Sequence, residues 1–451
     1  MSTDNTIKLP SNTAKRISEL TDDMLSKTVG NKAHVNTYLE TLLDSSRLIT
    51  TNDVLSGLEG GFSDHIDWDA TELKTTAHHP SNATGRGVTG RAAVIRAQSR
   101  VGRGVPVPVL LPHSCIWVTL LPPGEAAILA LWTSMINDKI SLGRYTYGTI
   151  FSAVSIVTMQ RMIDFVLSRV EATTVNFKDS QLTLKDIILV EDIPFLLNGC
   201  GLTMYPRGIE YSSPCVADPS SCSHITTGTL NVETLAWYNS AAIPDSVKVV
   251  QASITPGSVS VENVLLCQST LLKTRKVVLT DETGVPTDVY FKIPSINRAI
   301  SFGSQWITQV HDSVISALGL EQPNVSDDTW SERNLLITTQ GKASFLRQYA
   351  AFVTKIDLYE GGVIEDNEQD IADVLTVMSG SDKVRSDMMA ATEKFIADSS
   401  IGVIGLPVYA CPACGKTPDL GGNHILALDP VRLFFKYLVI RVDQINQRSM
   451  L

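Results

Sequence analysis

The sequence predicts an α+β protein of several domains, in which two cysteine-bearing segments form a base that carries a β-rich and helical insertion. Hydrophobic residues make up 43% of the 451 residues, which is enough for more than one core. Segments with the alternating pattern of strands and segments with the 3.6-residue period of helices both occur. The cysteine-bearing segments are separated by 188 residues, a length that can fold as an inserted domain.

The charge and hydropathy of the chain limit its classes of partner. The formal net charge is −10, which argues against a protein that coats nucleic acid with its whole surface. Charged residues make up only 19%, below the roughly 25% of an average soluble protein, so we expect partners to cover part of the surface. No apolar run approaches the ~20 residues that span a bilayer, and the N-terminus lacks the apolar region of a signal peptide. These features predict a cytosolic protein without a membrane partner.

The first 110 residues predict helices followed by an arm. Residues 1–50 have the periodicity of two short amphipathic N-terminal helices. Residues 51–110 predict an extended arm or long loop, because this polar tract exceeds the usual length of a connection. Five arginines and no acidic residue lie between Arg86 and Arg103, which indicates either a solvated loop or a basic arm on an acidic neighbour. Gly85–Gly90 matches a dinucleotide-binding fingerprint, but no strand precedes it, so we reject that interpretation.

Residues 111–225 predict an α+β domain that ends in the first cysteine pair. Ile116–Leu121 has the character of a strand. Pro122–Glu125 is a favourable start for a helix that continues through Ile136, because proline is well placed in a first turn. A second helix is predicted over Thr149–Arg169, where apolar residues recur at helical spacing.

Residues 226–300 predict a β-rich insertion, and residues 301–400 predict a helical region. The β-branched or alternating runs are Val247–Ile254, Lys276–Thr280 and Val289–Ile293. Asp281–Gly284 is a plausible hairpin turn between two of them. Helical periodicity then predicts four helices, at Trp306–Leu318, Lys342–Tyr359, Gln369–Met378 and Lys383–Ala397.

Residues 401–451 predict a zinc knuckle followed by a C-terminal helix. In the motif Cys411-Pro-Ala-Cys414-Gly, two thiolates can hold one tetrahedral ion, and the N–H groups of the tight turn point at the sulfurs. A redox pair is the alternative interpretation, but no βαβ pattern leads into this motif. We therefore predict a structural Zn²⁺ ion with Cys411 and Cys414 as two of its ligands.

The two remaining ligands are expected from a loop far upstream. Cys215 and Cys222 flank a loop rich in Pro, Ser and Asp, which is the composition of turns. They complete the four-cysteine site that we predict. Two alternatives stay open: His224 or His424 replaces a cysteine, or Cys215 and Cys222 are ordinary loop cysteines. The other three cysteines lie in apolar surroundings and predict buried thiols. They are Cys115, Cys200 and Cys267.

The C-terminal helix is predicted to be covered on all sides. Asp429 and Pro430 form a favourable N-cap and first-turn pair, and the helix is expected to extend to about Gln447. Apolar residues occupy nearly its whole circumference, and such a helix must be buried on every face. The cover is either the chain's own domain or another subunit.

Several short motifs resemble those of one family. Leu111-Pro112-His113-Ser114, the Cys-Pro-x-Cys-Gly knuckle and Leu428-Asp429-Pro430-x-x-x-Phe434-Phe435 resemble motifs of baseplate hub assembly chaperones and related baseplate components of T-even-type tailed bacteriophages. The stretch from Asp192 to Gly208 is similar to one in structural proteins of large tailed phages. The resemblance covers about residues 110–225 and 400–447. It implies a virion protein of the tail baseplate, assembled in the host cytoplasm with other baseplate or tail subunits as a homo- or hetero-oligomer, and a fold-stabilising zinc ion.

The sequence carries no signature of a catalytic site. The motifs His-Glu-x-x-His, Gly-x-Ser-x-Gly and the phosphate-binding loop are absent, and His113 beside Ser114 is interpreted as a structural adjacency. Four thiolates would also leave zinc no open position for a substrate. We therefore expect a non-catalytic structural or assembly component of a phage baseplate. A zinc-ribbon nucleic-acid-binding protein is the alternative, which the arginines favour but the acidity and 6% aromatic content do not. A zinc-dependent enzyme is less favoured.

Overall fold

Helices and mainly antiparallel sheets make up the fold, so the predicted α+β class is confirmed. The computed structural model describes residues 104–142, 156–178, 180–215, 217–218, 220–282, 284–318, 345–359, 361–365, 367–407, 410–417 and 425–449. Within these residues one large hydrophobic cluster extends from Val107 to Ile445. The predicted domain boundaries stay predictions.

A three-stranded antiparallel sheet and two helices begin the described chain. They are β1 (Val107–Leu111), β2 (Ile116–Leu120), α1 (Glu125–Leu142), α2 (Ile156–Leu167) and β3 (Val170–Thr173). The strand order is β1-β2-β3. The prediction of a strand followed by a helix after Gly124 is confirmed. In α2, the apolar residues that recur at helical spacing turn toward the core, because Met159, Ile163 and Val166 are all buried.

A buried helix and a hairpin follow. The next elements are β4 (Val175–Asn176), α3 (Leu184–Ile187), a 3₁₀ turn (Val190–Asp192), α4 (Ile193–Met204), β5 (Ile209–Pro214), β6 (Ile225–Leu230), a 3₁₀ turn (Val232–Leu235), β7 (Ala236–Tyr238) and a 3₁₀ turn (Ser240–Ala242). All residues of α4 except Pro194 are buried, so this helix is the centre of the fold. β5 and β6 form a two-stranded antiparallel sheet.

The middle of the chain builds a four-stranded antiparallel sheet with the order β12-β11-β10-β9. Its elements and neighbours are α5 (Asp245–Gln251), β8 (Val259–Ser260), α6 (Val261–Leu271), β9 (Arg275–Thr280), β10 (Pro286–Phe291), α7 (Ile296–Leu318), a 3₁₀ helix (Phe345–Phe352), β11 (Val353–Leu358) and β12 (Gly362–Glu365). β8 pairs in parallel with β4 over two residues. The predicted hairpin between β9 and β10 is confirmed by their antiparallel register.

The remaining elements complete the base. They are α8 (Glu368–Met378), α9 (Asp382–Ser399), β13 (Gly402–Pro407), β14 (Ile425–Ala427) and α10 (Pro430–Ser449). Asn367 and Ser381 cap α8 and α9, because each side chain accepts a hydrogen bond from a backbone N–H of the first turn. β13 lies between β14 and β7 in a three-stranded sheet.

The described side chains of the α10 helix are buried or half-buried by the chain's own residues, as expected from the first of the two alternatives left by the sequence. It packs on α4, where Gly201 lets the Tyr437 ring approach so closely that a Cβ at position 201 would lie 2.1 Å from a ring carbon. The Tyr437 hydroxyl donates to Asn198 Oδ1 at 3.2 Å, and the Tyr205 hydroxyl donates to the Tyr437 carbonyl at 2.9 Å. The Asp429 carboxylate accepts from the Val431 N–H at 2.9 Å, which confirms the predicted N-cap.

Two predicted elements are wrong in type. Val247–Ile254 was expected as a β run, but Asp245–Gln251 is helical because Val247 and Gln251, four residues apart, both turn inward on one face. Lys342–Tyr359 was expected as one helix, but within it Phe345–Phe352 forms a 3₁₀ helix and Val353–Leu358 forms strand β11. Pairing with β10 and β12 on both sides fixes the extended conformation there. In β11, tertiary pairing overrides the local helical periodicity.

Residues 1–103 lie outside the described residues, so the N-terminal helices and the arginines from Arg86 to Arg103 stay predictions. In the described part of the chain, no helix combines the length and the apolar character needed to cross a membrane.

Candidate metal centre

The first knuckle is the loop that connects β5 to β6 in their hairpin. Its ladder continues past the strands, because the Cys215 N–H donates to the His224 carbonyl at 2.9 Å. The loop between them turns on Asp218, whose carbonyl accepts from the Cys222 N–H at 2.9 Å. The Asp218 N–H in turn points at Cys215 Sγ, 3.4 Å away. This turn brings the two sulfurs of the first knuckle to the same side.

The second knuckle, Cys411–Lys416, connects β13 toward β14. The Gly415 N–H donates to the Cys411 carbonyl and the Cys411 N–H donates to the Lys416 carbonyl, both at 2.8 Å. Gly415 has a φ of 68°, the left-handed region that glycine adopts without steric cost. The tight turn predicted from the sequence is therefore formed by the backbone itself.

The two knuckles bring four cysteines together into one cysteine cluster, formed by Cys215, Cys222, Cys411 and Cys414. Their Sγ atoms all lie within 4.8 Å of one another. The distance from Cys215 Sγ to Cys414 Sγ is 3.8 Å, and that from Cys222 Sγ to Cys411 Sγ is 4.0 Å. In a tetrahedral site with metal–sulfur bonds of about 2.3 Å, the sulfurs are separated by about 3.8 Å. The four predicted ligands thus lie close enough to bind one metal ion.

Backbone hydrogen bonds prepare one of these sulfurs for coordination. The N–H groups of Cys414 and Ala413 donate to the Cys411 sulfur and lower the pKa of that thiol to about 6. At Cys222 the His224 N–H also favours the thiolate, but burial and the neighbouring thiols prevail and raise its pKa to about 11. Four adjacent thiols cannot all ionise without a cation between them, because like charges at this distance repel.

An ion pair joins the two knuckles beside the sulfurs. Lys416 Nζ lies 2.5 Å from Asp218 Oδ2. The hydrogen bond from Lys416 lowers the pKa of the Asp218 carboxyl group, and the same contact raises the pKa of Lys416. Because Lys416 is largely exposed, we expect this pair to orient the loops more than to stabilise them.

The histidine alternatives fare differently in the structure. His224 contributes its backbone to the first knuckle, and its ring is not a member of the cysteine cluster. His424 lies outside the described residues. Ordinary loop cysteines, the other alternative for Cys215 and Cys222, would have no reason to converge on a second pair 188 residues away.

Backbone pairing connects the segments that carry the two knuckles. β7 follows the first knuckle and pairs antiparallel with β13, which precedes the second knuckle, so Val403 lies opposite Trp237. The indole Nε1–H of Trp237 donates to the Gly405 carbonyl at 3.0 Å. A metal ion in the cluster would therefore join two loops whose neighbouring segments are already held together by the pairing of β7 with β13.

A second buried cluster, which the sequence analysis missed, surrounds the turn between β1 and β2. We call this turn, Pro112–Cys115, together with the side chains of Asp192, Gln251 and Gln268, the polar hub. The Asp192 carboxylate accepts from the His113 ring at 2.8 Å, from the Ser114 hydroxyl at 2.5 Å, and from the N–H groups of both residues at 3.2 and 2.6 Å. All three side chains are fully buried.

The geometry of the polar hub differs from that of a catalytic triad. The Ile401 N–H donates to His113 Nε2 at 3.0 Å, so Nδ1 carries the ring proton and donates to Asp192. The Ser114 hydroxyl donates to Asp192 rather than to the histidine, and it accepts from the Leu189 N–H at 2.9 Å. In a triad the second ring nitrogen would instead face the serine hydroxyl. The contacts of His113 and Ser114 thus join separate segments of the chain.

Two glutamines extend the polar hub to neighbouring helices. Gln251 Nε2, on α5, donates to the Pro112 carbonyl at 2.9 Å. Gln268 Nε2, on α6, donates to the Ser114 and Ile187 carbonyls at 3.2 and 2.8 Å. The turn leaves Cys115 with a φ of 59°, which is rare for a residue other than glycine. These contacts fix the first sheet to the helices beside it.

Replacing Glu191 with glutamine is expected to stabilise the protein by about 1–3 kcal/mol above pH 7. Glu191 Oε1 is inaccessible to solvent and has no hydrogen-bond partner among the described residues. Burial raises the pKa of this carboxyl group from its ordinary value of 4.5 to about 7. A raised folded-state pKa gives stability that is complete below pH 4.5 and is lost as the pH rises through 7. Glutamine, which stays neutral, avoids this loss.

Urea unfolding at several pH values would measure this effect. The difference between the Glu191→Gln variant and the unmodified protein should grow between pH 4.5 and 7 and then level off. Glu262→Gln, at an exposed position of α6, is the matched control for the exchange of glutamate for glutamine. A pH-independent difference at Glu191 would contradict the expectation.

The three remaining cysteines are buried, which confirms their prediction. Cys115, Cys200 and Cys267 are exposed by 8% or less, and each is a free thiol. Burial raises the pKa of each of these thiols, so they remain protonated and unsuited to metal binding.

No protein-family model, no curated protein and no solved structure matches this chain in the comparisons.

Proposed function

We propose that the chain is a non-catalytic structural or assembly component of a tailed-phage baseplate, in which Cys215, Cys222, Cys411 and Cys414 hold a structural zinc ion. The observation that carries the metal role is the convergence of four sulfurs from two knuckles within 4.8 Å. Four thiolates in a tetrahedral arrangement are the ligand set of structural zinc, and they leave no coordination position open for a substrate.

Zinc in this position would act on folding rather than on chemistry. The ligands come in two pairs that lie 188 residues apart, and both pairs are attached to strands of the base. Binding of the ion to the folded state alone would stabilise the arrangement of the two knuckles, because a preformed site rarely exists in an unfolded chain. Mononuclear iron has the same preference for four thiolates, so the metal assay must distinguish the two ions.

The baseplate role is supported by the placement of the motifs that carry the family resemblance. The Leu111–Ser114 motif and the Asp192–Leu197 stretch meet in the polar hub, where Asp192 binds His113 and Ser114. Leu428–Phe435 lies at the start of α10, which packs on α4. Motifs that are far apart in the sequence thus form one contiguous base, as expected if they were inherited together. The proposed partners are other baseplate or tail subunits, and the proposed location is the tail baseplate of the virion, reached from the host cytoplasm.

The nucleic-acid alternative depends on the arginines from Arg86 to Arg103, which lie outside the described residues. If this segment binds DNA through phosphates, affinity should fall steeply with salt, as counterion release requires. Baseplate assembly predicts no such affinity for free DNA. A salt-dependent shift of labelled duplex DNA at physiological ionic strength would therefore favour the zinc-ribbon alternative over the baseplate role.

Two measurements test the proposal. Elemental analysis of protein purified without added metal should find one zinc per chain, and a metal-free or iron-containing protein would exclude the zinc assignment. Electron microscopy of particles carrying an affinity-labelled chain should locate the label on the tail baseplate or on its assembly intermediates. If the chain remains free in infected cells and is absent from both, the baseplate role is wrong, whatever the metal content.

A further inference from the structure

The β5–β6 hairpin is a two-stranded sheet that stands apart from the other sheets. Among the residues that the structure describes, neither strand pairs with a third strand. Its base is attached to the core through Ile209 and Leu230, while its other end opens into the first knuckle. Isolated two-stranded sheets are marginal in water, and three or more strands are usually needed for stability. The addition of another strand would therefore stabilise this hairpin.

The register of the hairpin shows which backbone groups face outward from β6. Cys215 and His224 form a hydrogen-bonded pair, since the Cys215 N–H donates to the His224 carbonyl at 2.9 Å. Hydrogen-bonded and non-hydrogen-bonded pairs alternate along an antiparallel ladder. The next pair, Pro214 with Ile225, is consequently non-hydrogen-bonded, which suits a proline without an N–H group. By the same alternation, the N–H and C=O groups of Ile225, Thr227 and Thr229 point away from β5.

The two edges of the hairpin differ in their protection against pairing. Two residues of β5 whose backbone groups face outward are Glu210, which is charged and exposed, and Pro214, which has no N–H group. Charged residues and prolines on an edge strand both oppose the addition of another strand. β6 has neither, and no charged side chain occurs between residues 219 and 232. Ile225, Thr227 and Thr229 are exposed, and all three are β-branched, the type that favours strands. The β6 edge is thus open to pairing.

We propose that a second copy of this chain pairs with the β6 edge, antiparallel and across a two-fold axis at Thr227. A two-fold axis perpendicular to the sheet keeps each face on its own side and places Thr227 opposite Thr227 of the partner subunit. The same register places Ile225 opposite Thr229 of the partner subunit, and Thr229 opposite Ile225 of the partner subunit. All three outward-facing residues then form hydrogen-bonded pairs, and each pair exchanges two bonds.

A second copy fits this edge better than an unrelated strand because the edge is complementary to itself. The opposed side chains are Ile with Thr and Thr with Thr, which are favourable cross-strand pairs, and no like charges meet. The product is a four-stranded sheet with the order β5-β6-β6-β5, large enough to be stable. This inference goes beyond the proposed baseplate role, because it specifies a homodimer contact that would exist in the isolated protein.

Substitutions at Thr227 test the pairing without disturbing the hairpin. Thr227 forms a non-hydrogen-bonded pair with Ser212, so Thr227→Pro removes only an outward N–H group. Thr227→Lys and Thr227→Glu each place two like charges directly opposite each other across the axis. Glu210→Lys, on the β5 edge, is the matched control. Circular dichroism and metal content should be unchanged in every variant that is compared.

Sedimentation velocity over a wide range of concentrations provides the measurement. The unmodified protein and Glu210→Lys should form dimers, whereas Thr227→Pro, Thr227→Lys and Thr227→Glu should each raise the dimer dissociation constant by roughly tenfold or more. Mixing the Lys and Glu variants should restore a heterodimer, because the opposed charges then attract. A monomeric unmodified protein would overturn the proposal, as would a dimer that persists in Thr227→Pro or a Lys–Glu mixture that fails to associate.

Hydrogen exchange gives an independent readout of the occupant. The amides of Ile225, Thr227 and Thr229 should gain protection as the protein concentration rises through the dimer range. Protection that is the same at all concentrations would mean that another segment of the same chain covers the edge, which would contradict the dimer. No protection at any concentration would contradict it as well.

Discussion

Replacing Asp192 with alanine is expected to destabilise the protein by about 4 kcal/mol or more, because several buried donors lose their acceptor at once. The carboxylate accepts four hydrogen bonds, from the ring and N–H of His113 and from the hydroxyl and N–H of Ser114. Each unsatisfied buried donor costs about 1–3 kcal/mol, and these donors surround a fully buried position. The loss should separate the first sheet from α4.

Chemical denaturation and the yield of soluble protein measure this effect. Asp245→Ala is the matched control, because Asp245 is exposed and, among the described residues, its ion pair is with the exposed Lys248 at 3.2 Å. That control should change stability by no more than about 0.5 kcal/mol. Ser114→Ala should be strongly non-additive with Asp192→Ala, since both belong to one hydrogen-bond network. Additive effects would show that Asp192 does not organise the polar hub.

Replacing Cys411 with serine is expected to abolish metal binding and to lower the melting temperature by roughly 10 °C. Zinc binding to structural sites in small peptides is worth about 10–16 kcal/mol. Closing a loop as long as the one between the knuckles costs roughly 5 kcal/mol by the chain-entropy relation, so several kcal/mol remain for folding. Serine cannot replace the thiolate, because its hydroxyl group does not ionise near neutral pH.

A chelator separates the loss of metal from other effects of the substitution. It should lower the melting temperature of the unmodified protein to that of Cys411→Ser and leave the variant unchanged. Cys267→Ser, a buried cysteine outside the cysteine cluster, should keep the full metal content even if it lowers stability. Retention of one equivalent of metal by Cys411→Ser, with unchanged stability, would contradict a structural role for the site.

The sequence predicted those features that depend on neighbouring residues. The Cys411-Pro-Ala-Cys414-Gly spacing defines a knuckle by itself, and the tight turn is formed as expected. The helices α8 and α9 follow their hydrophobic period and begin at good caps, Asn367 and Ser381. The four-cysteine set followed from counting the ligands that a two-cysteine knuckle lacks.

Features that depend on distant contacts were not predictable in this way. His113 and Asp192 are 79 residues apart in the sequence. Nothing in the residues around either one indicates that Asp192 is a buried carboxylate that accepts hydrogen bonds from His113. The local pattern of Val353–Leu358 predicts a helix, but this segment forms strand β11 because it pairs with β10 on one side and β12 on the other. The sequence distinguishes Leu111–Ser114 by the family resemblance and by the adjacency of His113 and Ser114, and neither feature indicates the contact with Asp192. In other sequences, a buried hub of this kind would be indicated by a short turn with polar but uncharged side chains and by an aspartate far downstream in an apolar segment.

The separation of the two knuckles has a consequence for the growing chain on the ribosome. Translation adds about 5–20 residues per second, so roughly 10–40 s pass between the emergence of the first knuckle and that of the second. During this interval Cys215 and Cys222 lack the other two cysteines of the cluster, and the surface of α4 that α10 later covers is exposed. A nascent chain that stops before Cys411 can never complete the cysteine cluster. The metal centre would therefore mark finished chains, and unfinished ones would present an open, apolar base to the proteases of the cell.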